Sequence, residues 1–312
     1  MKPNIGDMRV DKLLGQVAQR YRNDNYVAEQ ILPFVKVNEK TGKFAKFGKE
    51  NFRAYSDQIY RAPGTRAHTI DYSVSQGDYS CKERSLEKPV AWEFYDNFDK
   101  PYNPEEDAVG VIMDNIWTNQ ELILSSVMGN TAVMTLNTTL SGTSQWTDTT
   151  NSDPLTNIKT AINAVKTASG LRPNVLVFCE DAFDTLKVHP LIREQLKYTG
   201  VLGTPGDDAL KAFLMQFFKV EEIIVGTSVY MASDEGQTDD LDAIWTGNVW
   251  ALHRPKTPSV LKASFGYTFS DVPRQVDKYD EVSHKRTVVR VAYSFDQNIM
   301  DANLGYLIKA AV

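Results

Sequence analysis

Two cysteines and four histidines are the side chains in this 312-residue sequence that could most readily make a nucleophile or hold a metal. Cys179 closes the apolar run Val175-Leu176-Val177-Phe178, and His189 follows ten residues later. A thiolate nucleophile needs a base, a group that orients the base, and donors for the developing oxyanion. No orienting group or oxyanion loop is identifiable near this pair, so Cys179 reads as a small buried hydrophobe at a strand end. His68, His189, His253 and His284 are scattered, and none has a second His or Glu at the helical spacing of a zinc site. They read as packing or surface histidines. Asp234, Glu235, Asp239, Asp240 and Asp242 form an acidic loop. Its ligand order and missing central glycine do not fit a calcium loop, so it reads as a solvated tip.

The stretch Gly42-Lys43-Phe44-Ala45-Lys46-Phe47-Gly48-Lys49-Glu50 resembles a phosphate loop only briefly. It has one residue too many between its glycines, and Glu50 stands where a magnesium-binding Ser or Thr belongs. No Gly-x-Gly-x-x-Gly occurs, and Asn137-Thr138-Thr139 is a glycosylation triplet by letter only. The residues therefore predict no catalytic, cofactor or metal site. What remains is charge. Residues 1–100 carry 17 Lys and Arg against 14 Asp and Glu, a surplus of +3, while the rest carry 17 against 26, or −9. An acidic whole argues against nucleic acid as the main ligand, because phosphate binding needs a basic face. The basic surplus gathers in residues 36–66. Within it Lys43, Lys46, Lys49, Arg53, Arg61 and Arg66 are the candidates for contact with an acidic surface on another subunit.

These residues need elements to position them. Hydrophobic residues are 42% and charged residues 24%, a globular composition with room for about two domains. No apolar run approaches the roughly 18 residues of a membrane span. The opening residues lack the apolar core of a signal peptide, so cytosolic synthesis with both cysteines reduced is expected.

A helix is predicted over 7–22, and Pro33 stops a second short one. From 34 to about 100 there is neither a helical period nor a buried-strand run, only short alternation broken at Pro63-Gly64 and Gln76-Gly77. Such a segment cannot enclose its own core, yet its seven aromatics between Phe44 and Tyr79 are too many for a disordered tail. It reads as a long hairpin packing on a neighbouring subunit. Then Asn103 caps a helix begun by Pro104, with Val109, Ile112, Met113, Ile116, Trp117, Ile123 and Val127 as its apolar stripe. Threonine-rich residues 131–152 read as a loop or an edge hairpin. A compact α/β unit follows. It has a helix from Asp153-Pro154 to Gly170, a buried strand over 174–179, helices over 180–188, 190–198 and 207–218, and strands near 222–225, 228–232, 243–245 and 249–253, all in one sheet. Long alternating strands close the chain. The order of elements is α+β, with an α/β insertion between two parts of another domain.

Six stretches in this order are similar to the major capsid proteins of tailed bacteriophages with the Hong Kong 97-like fold. Tyr26-Val27-Ala28-Glu29-Gln30-Ile31-Leu32-Pro33 resembles the end of that family's N-terminal arm, and Arg61-Ala62-Pro63-Gly64-Thr65 the turn of its extended loop. Gln145-Trp146-Thr147-Asp148 with Asn151-Ser152-Asp153-Pro154 resembles the approach to its axial domain. Arg172-Pro173-Asn174-Val175-Leu176-Val177 and Leu186-Lys187-Val188-His189-Pro190 resemble that domain's first strand and helix. Glu221-Glu222-Ile223-Ile224-Val225-Gly226 resembles a later strand, and Ser264-Phe265-Gly266-Tyr267-Thr268-Phe269 a peripheral segment.

The resemblance implies an N-terminal arm (1–38), an extended loop (39–98), a peripheral domain with a spine helix (99–152), an axial domain (153–252) and peripheral C-terminal strands (253–312). It implies a non-enzymatic protein without a cofactor that assembles with itself through hexamers and pentamers into an icosahedral shell around double-stranded DNA. The expected location is the virion, after assembly in the bacterial host cytoplasm. Expected partners are a scaffolding protein, a portal, decoration proteins and non-specifically contacted DNA, with no membrane. The arm starts almost at Met1, which suggests a separate scaffolding protein. An encapsulin-type compartment shell is the alternative, and a cytosolic α/β enzyme using Cys179 the third reading.

Overall fold

The computed structural model describes residues 9–10, 14, 18, 26–46, 60–61, 63–67, 75–97, 103–197, 206–233, 236–238, 240–259, 262–272 and 274–312. One helix organises them. Asn103 accepts a 3.1 Å bond from the Glu105 amide, and Pro104 starts α3, Pro104–Met128. Two shorter helices with described bounds precede it: α1 is Ala28–Ile31 and α2 is Trp92–Asn97. At about 1.5 Å per residue α3 is close to 40 Å long, enough to serve two cores.

Its first half covers a six-stranded sheet. In chain order the strands are β1 (Arg9–Val10), β2 (Phe34–Lys36), β5 (Lys82–Ala91), β12 (Gly266–Ser270), β13 (Gln275–Glu281) and β14 (Arg286–Ile299). The path runs β1-β13-β14-β12-β2, with β5 also on β14. The fourteen-residue β14 alternates, so Val289, Val291, Tyr293 and Phe295 face Val109, Ile112, Met113, Ile116 and Trp117 of α3. Lys278 of β13 reaches Glu105 in the first turn of α3 at 3.2 Å.

The second sheet runs β6-β15-β11-β7-β8, made of β6 (Asn137–Thr139), β7 (Val175–Cys179), β8 (Glu222–Gly226), β11 (Val249–Leu252) and β15 (Gly305–Lys309). Strands β7, β11 and β15 are buried on both faces, and period-two alternation divides their side chains between two cores. Leu176, Phe178, Val249, Ala251, Tyr306 and Ile308 face α4 (Pro154–Ser169), α5 (Glu180–Val188), α6 (Pro190–Lys197) and α7 (Asp207–Phe218). Val175, Val177, Cys179, Trp250, Leu252 and Leu307 face α1 and the end of α3. The predicted caps are present. Asp153 accepts from the Thr156 amide at 3.0 Å, and Gly170 ends α4 at φ +77°, where a side chain would be strained. Arg172 donates to the Phe218 carbonyl at 2.6 Å and so caps the C-terminus of α7.

Several expectations change. Arg9–Val10 is a strand on β13 rather than the start of a helix, and the rest of the segment 7–22 falls outside the described residues apart from 14 and 18, which are helical. Residues 82–91 form a regular strand, where sequence alternation was too mixed with charge to show one; ten consecutive pairs to β14 fix it. Residues 137–139 pair in parallel with β15 instead of folding back as a hairpin. Gly305–Lys309, read with the peripheral strands, lies in the second sheet against β11. The strands expected near 228–232 and 243–245 do not join that sheet. They form a separate ribbon, β9 (Val229–Met231) against β10 (Leu241–Ala243).

Candidate functional site

The basic hairpin begins as a clean antiparallel pair, β3 (Thr41–Lys46) with β4 (Ser75–Ser80). In its register Gly42 faces Tyr79 and Phe44 faces Gly77. Each glycine leaves room for the ring opposite, since a Cβ on either would collide with that ring. Both rings then stack on Phe269 of β12, with centroids 5.7 Å away for Phe44 and 4.7 Å for Tyr79. Val37, Cys81, Tyr267 and Met300 complete this small core. Asp296 accepts from the Ser80 amide at 2.9 Å, and Asn298 donates to the Asp78 carbonyl at 3.0 Å. The base of the hairpin is therefore seated on its own chain. The sequence reading placed these aromatics on a neighbour, because it could not see that β12 lies beneath them.

The six candidate contact residues are not gathered into one stripe. Lys43 is exposed and sits opposite Asp78. Lys46 lies on the other face, its ammonium 5.9 Å from the Phe44 ring centroid, because three-residue spacing on a strand alternates sides. Arg61 and Arg66 are exposed on either side of the turn at Pro63-Gly64. Lys49 and Arg53 lie outside the described residues.

The possible nucleophile and base do not form a pair. Cys179 is fully buried on the α3 side of the second sheet, where its sulfur accepts from the Asn248 amide at 3.3 Å. Burial, opposed by that bond, pushes its thiol up to about 12, the reverse of an activated thiolate. His189 ends α5 with Nε2 3.1 Å from the Ser152 hydroxyl, and burial holds its imidazole below the usual range despite nearby Asp153. His253 is tied to the Arg172 carbonyl at 2.7 Å, while exposed His284 lies 3.6 Å from Glu281; His68 is outside the described residues. Among the described residues no group of three His, Cys, Asp or Glu side chains could hold a metal. A cleft of about 370 Å³ between Pro33, Asn174 and Pro258 is lined by charges that neutralise each other, Arg254 with Glu222 and Lys256 with Glu221.

Sequence reasoning missed the group that joins these parts. Glu121 is fully buried on the inward face of α3. One carboxylate oxygen accepts the amides of Val27 and Ala28 at 2.6 and 2.5 Å; the other accepts the Trp245 indole at 2.5 Å and the Ser228 hydroxyl at 3.3 Å. Burial pushes this carboxyl up, and the four donated bonds oppose the shift. The carboxylate fastens the segment before α1 and the bases of the β9–β10 ribbon to the middle of the long helix. The stripe read from hydropathy ran through Ile123 and Val127, which are only half buried, instead of Gln120, Glu121, Leu124 and Met128. The available signal was the 3.6-residue period itself, which carries the buried face through two polar residues.

No protein-family model matches the chain. Over 309 residues it is 29% identical to a major capsid protein of Burkholderia phage BcepMu, covering 96% of this chain and 95% of that one. It is 28% identical over 263 residues to a major capsid protein of Pseudomonas phage JBD67, covering 83% and 82% of the two. A phage-related protein from Bordetella bronchiseptica RB50 superposes with TM-score 0.76 at 27% identity over 97% of each chain. A capsid chain of Cyanophage P-SCSP1u has the same fold at TM-score 0.55 and 8% identity, covering 91% of this chain and 88% of that one.

Proposed function

We propose that this chain is the major capsid protein of a tailed bacteriophage, a structural protein that builds a closed shell from many copies of itself. The observation that carries the reading is end-to-end sequence similarity to a phage major capsid protein, together with a fold shared with a phage-related protein and a cyanophage capsid chain. The interior of the molecule agrees with a structural role. Cys179 is unactivated, His189 is held in the interior beside the Ser152 hydroxyl, and the buried Glu121 carboxylate holds separate segments together.

The finer reading is an arm (1–38), an extended loop (39–98), a peripheral domain (99–152 with 253–312) and an axial domain (153–252) whose sheet Gly305–Lys309 crosses back to join, assembled through hexamers and pentamers around double-stranded DNA. Lys43, Lys46, Lys49, Arg53, Arg61 and Arg66 contact the neighbouring subunit. This is supported by the exposure of Lys43, Arg61 and Arg66 and by the −9 balance of residues 101–312. Scaffolding, portal and decoration proteins are its partners in the host cytoplasm, and the virion is its final location. Expression with candidate scaffolds, followed by sedimentation and cryo-electron microscopy, tests the reading. Icosahedral particles with axial domains at the capsomer centres are expected. A monodisperse monomer under all conditions refutes shell formation, and shells filled with an enzyme instead of nucleic acid refute the phage assignment.

A further inference from the structure

Two long elements pass from one core of the molecule to the other, and each places a glutamine at the crossing. On α3 the buried face runs from Trp117, in the core of the first sheet, to Leu124, in the core shared with α1. Gln120 lies between them and is 1% exposed. On β14 one face runs from Phe295, in the first of these cores, to Ile299 beside the second, with Gln297 between them. The side-chain nitrogen and oxygen of both glutamines are buried, and among the described residues none of the four atoms has a hydrogen-bond partner. Buried amides without partners are costly, and an apolar residue of similar size at either place would join the two cores into one.

The strand pairing changes at the same level. β14 leaves β13 after Ala292 and β5 after Phe295, and from Asp296 to Ile299 it pairs with β12 instead. Glu121 ties α3 to the second-sheet side through Val27, Ala28, Ser228 and Trp245, while Lys278 and the β14 side chains hold its first half. The ion pair of Arg274 with Glu29 crosses the layer from the segment before β13 to α1, and two long side chains can swing without parting.

We infer that the layer holding Gln120 and Gln297 is a flexure, across which the body built on β5, β13 and the first half of α3 rotates against the body built on the second sheet. Interdigitated apolar side chains hold one arrangement, whereas amides carry donors and acceptors that take new partners after a small rotation. The inference rests on the capsid reading, which gives the flexure its use: one chain has to meet different neighbours in rings of five and of six.

The test places spin labels on Ser85→Cys of β5 and Lys166→Cys of α4, both exposed positions, while Cys81 and Cys179 are 7% and 0% exposed and stay unlabelled. Pulsed electron paramagnetic resonance reads the distance between them in the free subunit and in particles where unlabelled chains are in excess. A broad or split distribution is expected. Adding Gln120→Met with Gln297→Met, which nearly keeps the shape of both side chains, should narrow it to a single peak. The same pair should raise the melting temperature of the subunit by about 2–4 °C and lower the yield of closed particles. Equal widths with and without the methionines overturn the flexure. A lower melting temperature also overturns it, because the amides then have good partners where they stand. If the methionine pair does not fold, Gln120→Leu with Gln297→Leu takes its place, and failure of both pairs overturns the inference. Failure of the unsubstituted chain to form any particle refutes the capsid reading instead, while the free-subunit distances still decide the flexure.

Discussion

Glu121→Gln is the most informative single change, because the two chains of atoms around the carboxylate respond differently. A glutamine keeps the shape but offers one acceptor oxygen and one NH2. The Val27 and Ala28 amides are fixed by the backbone and cannot turn, so the oxygen must stay with them. The NH2 then faces Ser228 and Trp245. The serine hydroxyl can rotate and accept, whereas the indole N–H can only donate and is left against another donor. One buried donor without a partner costs about 1–3 kcal/mol, and loss of charge from the two amide bonds adds roughly 1 kcal/mol. Relief from burying a charge offsets part of this, so a net loss of about 2–3 kcal/mol is expected. Chemical denaturation of the unassembled subunit measures it, and hydrogen exchange at Val27 and Ala28 should quicken. In the pair Glu121→Gln with Trp245→Phe the clashing donor is gone, so the two costs should fall short of additive by about 1 kcal/mol. Strict additivity, or unchanged exchange at the two amides, would refute the account of this junction.

Ile116→Asp puts a charge among Val109, Met113 and the β14 side chains, and insoluble or unfolded protein is expected on expression at a cost of several kcal/mol; soluble, assembling protein would show that the buried face is misplaced. Gly77→Val should push the Phe44 ring off Phe269, read as raised protease sensitivity at the hairpin base while the circular dichroism of the remainder is kept. His189 is held below its usual range, so its contribution to stability is present above pH 6.5 and is lost as pH falls through its lowered folded value; His189→Asn should flatten the melting temperature between pH 7 and 5. Replacing Lys43, Lys46 and Lys49 together by Glu should leave the subunit folded but slow shell assembly, most at low salt where repulsion is least screened. Normal assembly at low salt with poor nucleic-acid packaging would place the basic hairpin on the lumen.

The local rules that need only near neighbours were legible in the sequence. Asn103-Pro104, Asp153-Pro154 and Gly170 set helix ends through caps and a left-handed terminus, and those ends stand where the residues put them. The uninterrupted Val175–Cys179 marked a strand covered on both faces. The place of Cys179 as a packed hydrophobe was equally local, since it closes an apolar strand. Pairings between distant segments were decided by the tertiary structure. The last strand, Gly305–Lys309, alternates as well for one sheet as for another, and its partner β11 was settled by which apolar faces remained to be covered. The hairpin aromatics Phe44 and Tyr79 could have belonged to an interface until Phe269 was found beneath them. Glu121 looked like a solvated helix residue because hydropathy assigns a carboxylate to water; only the convergence of four donors from three separate stretches of chain makes its burial tolerable, and no window of sequence contains all of them.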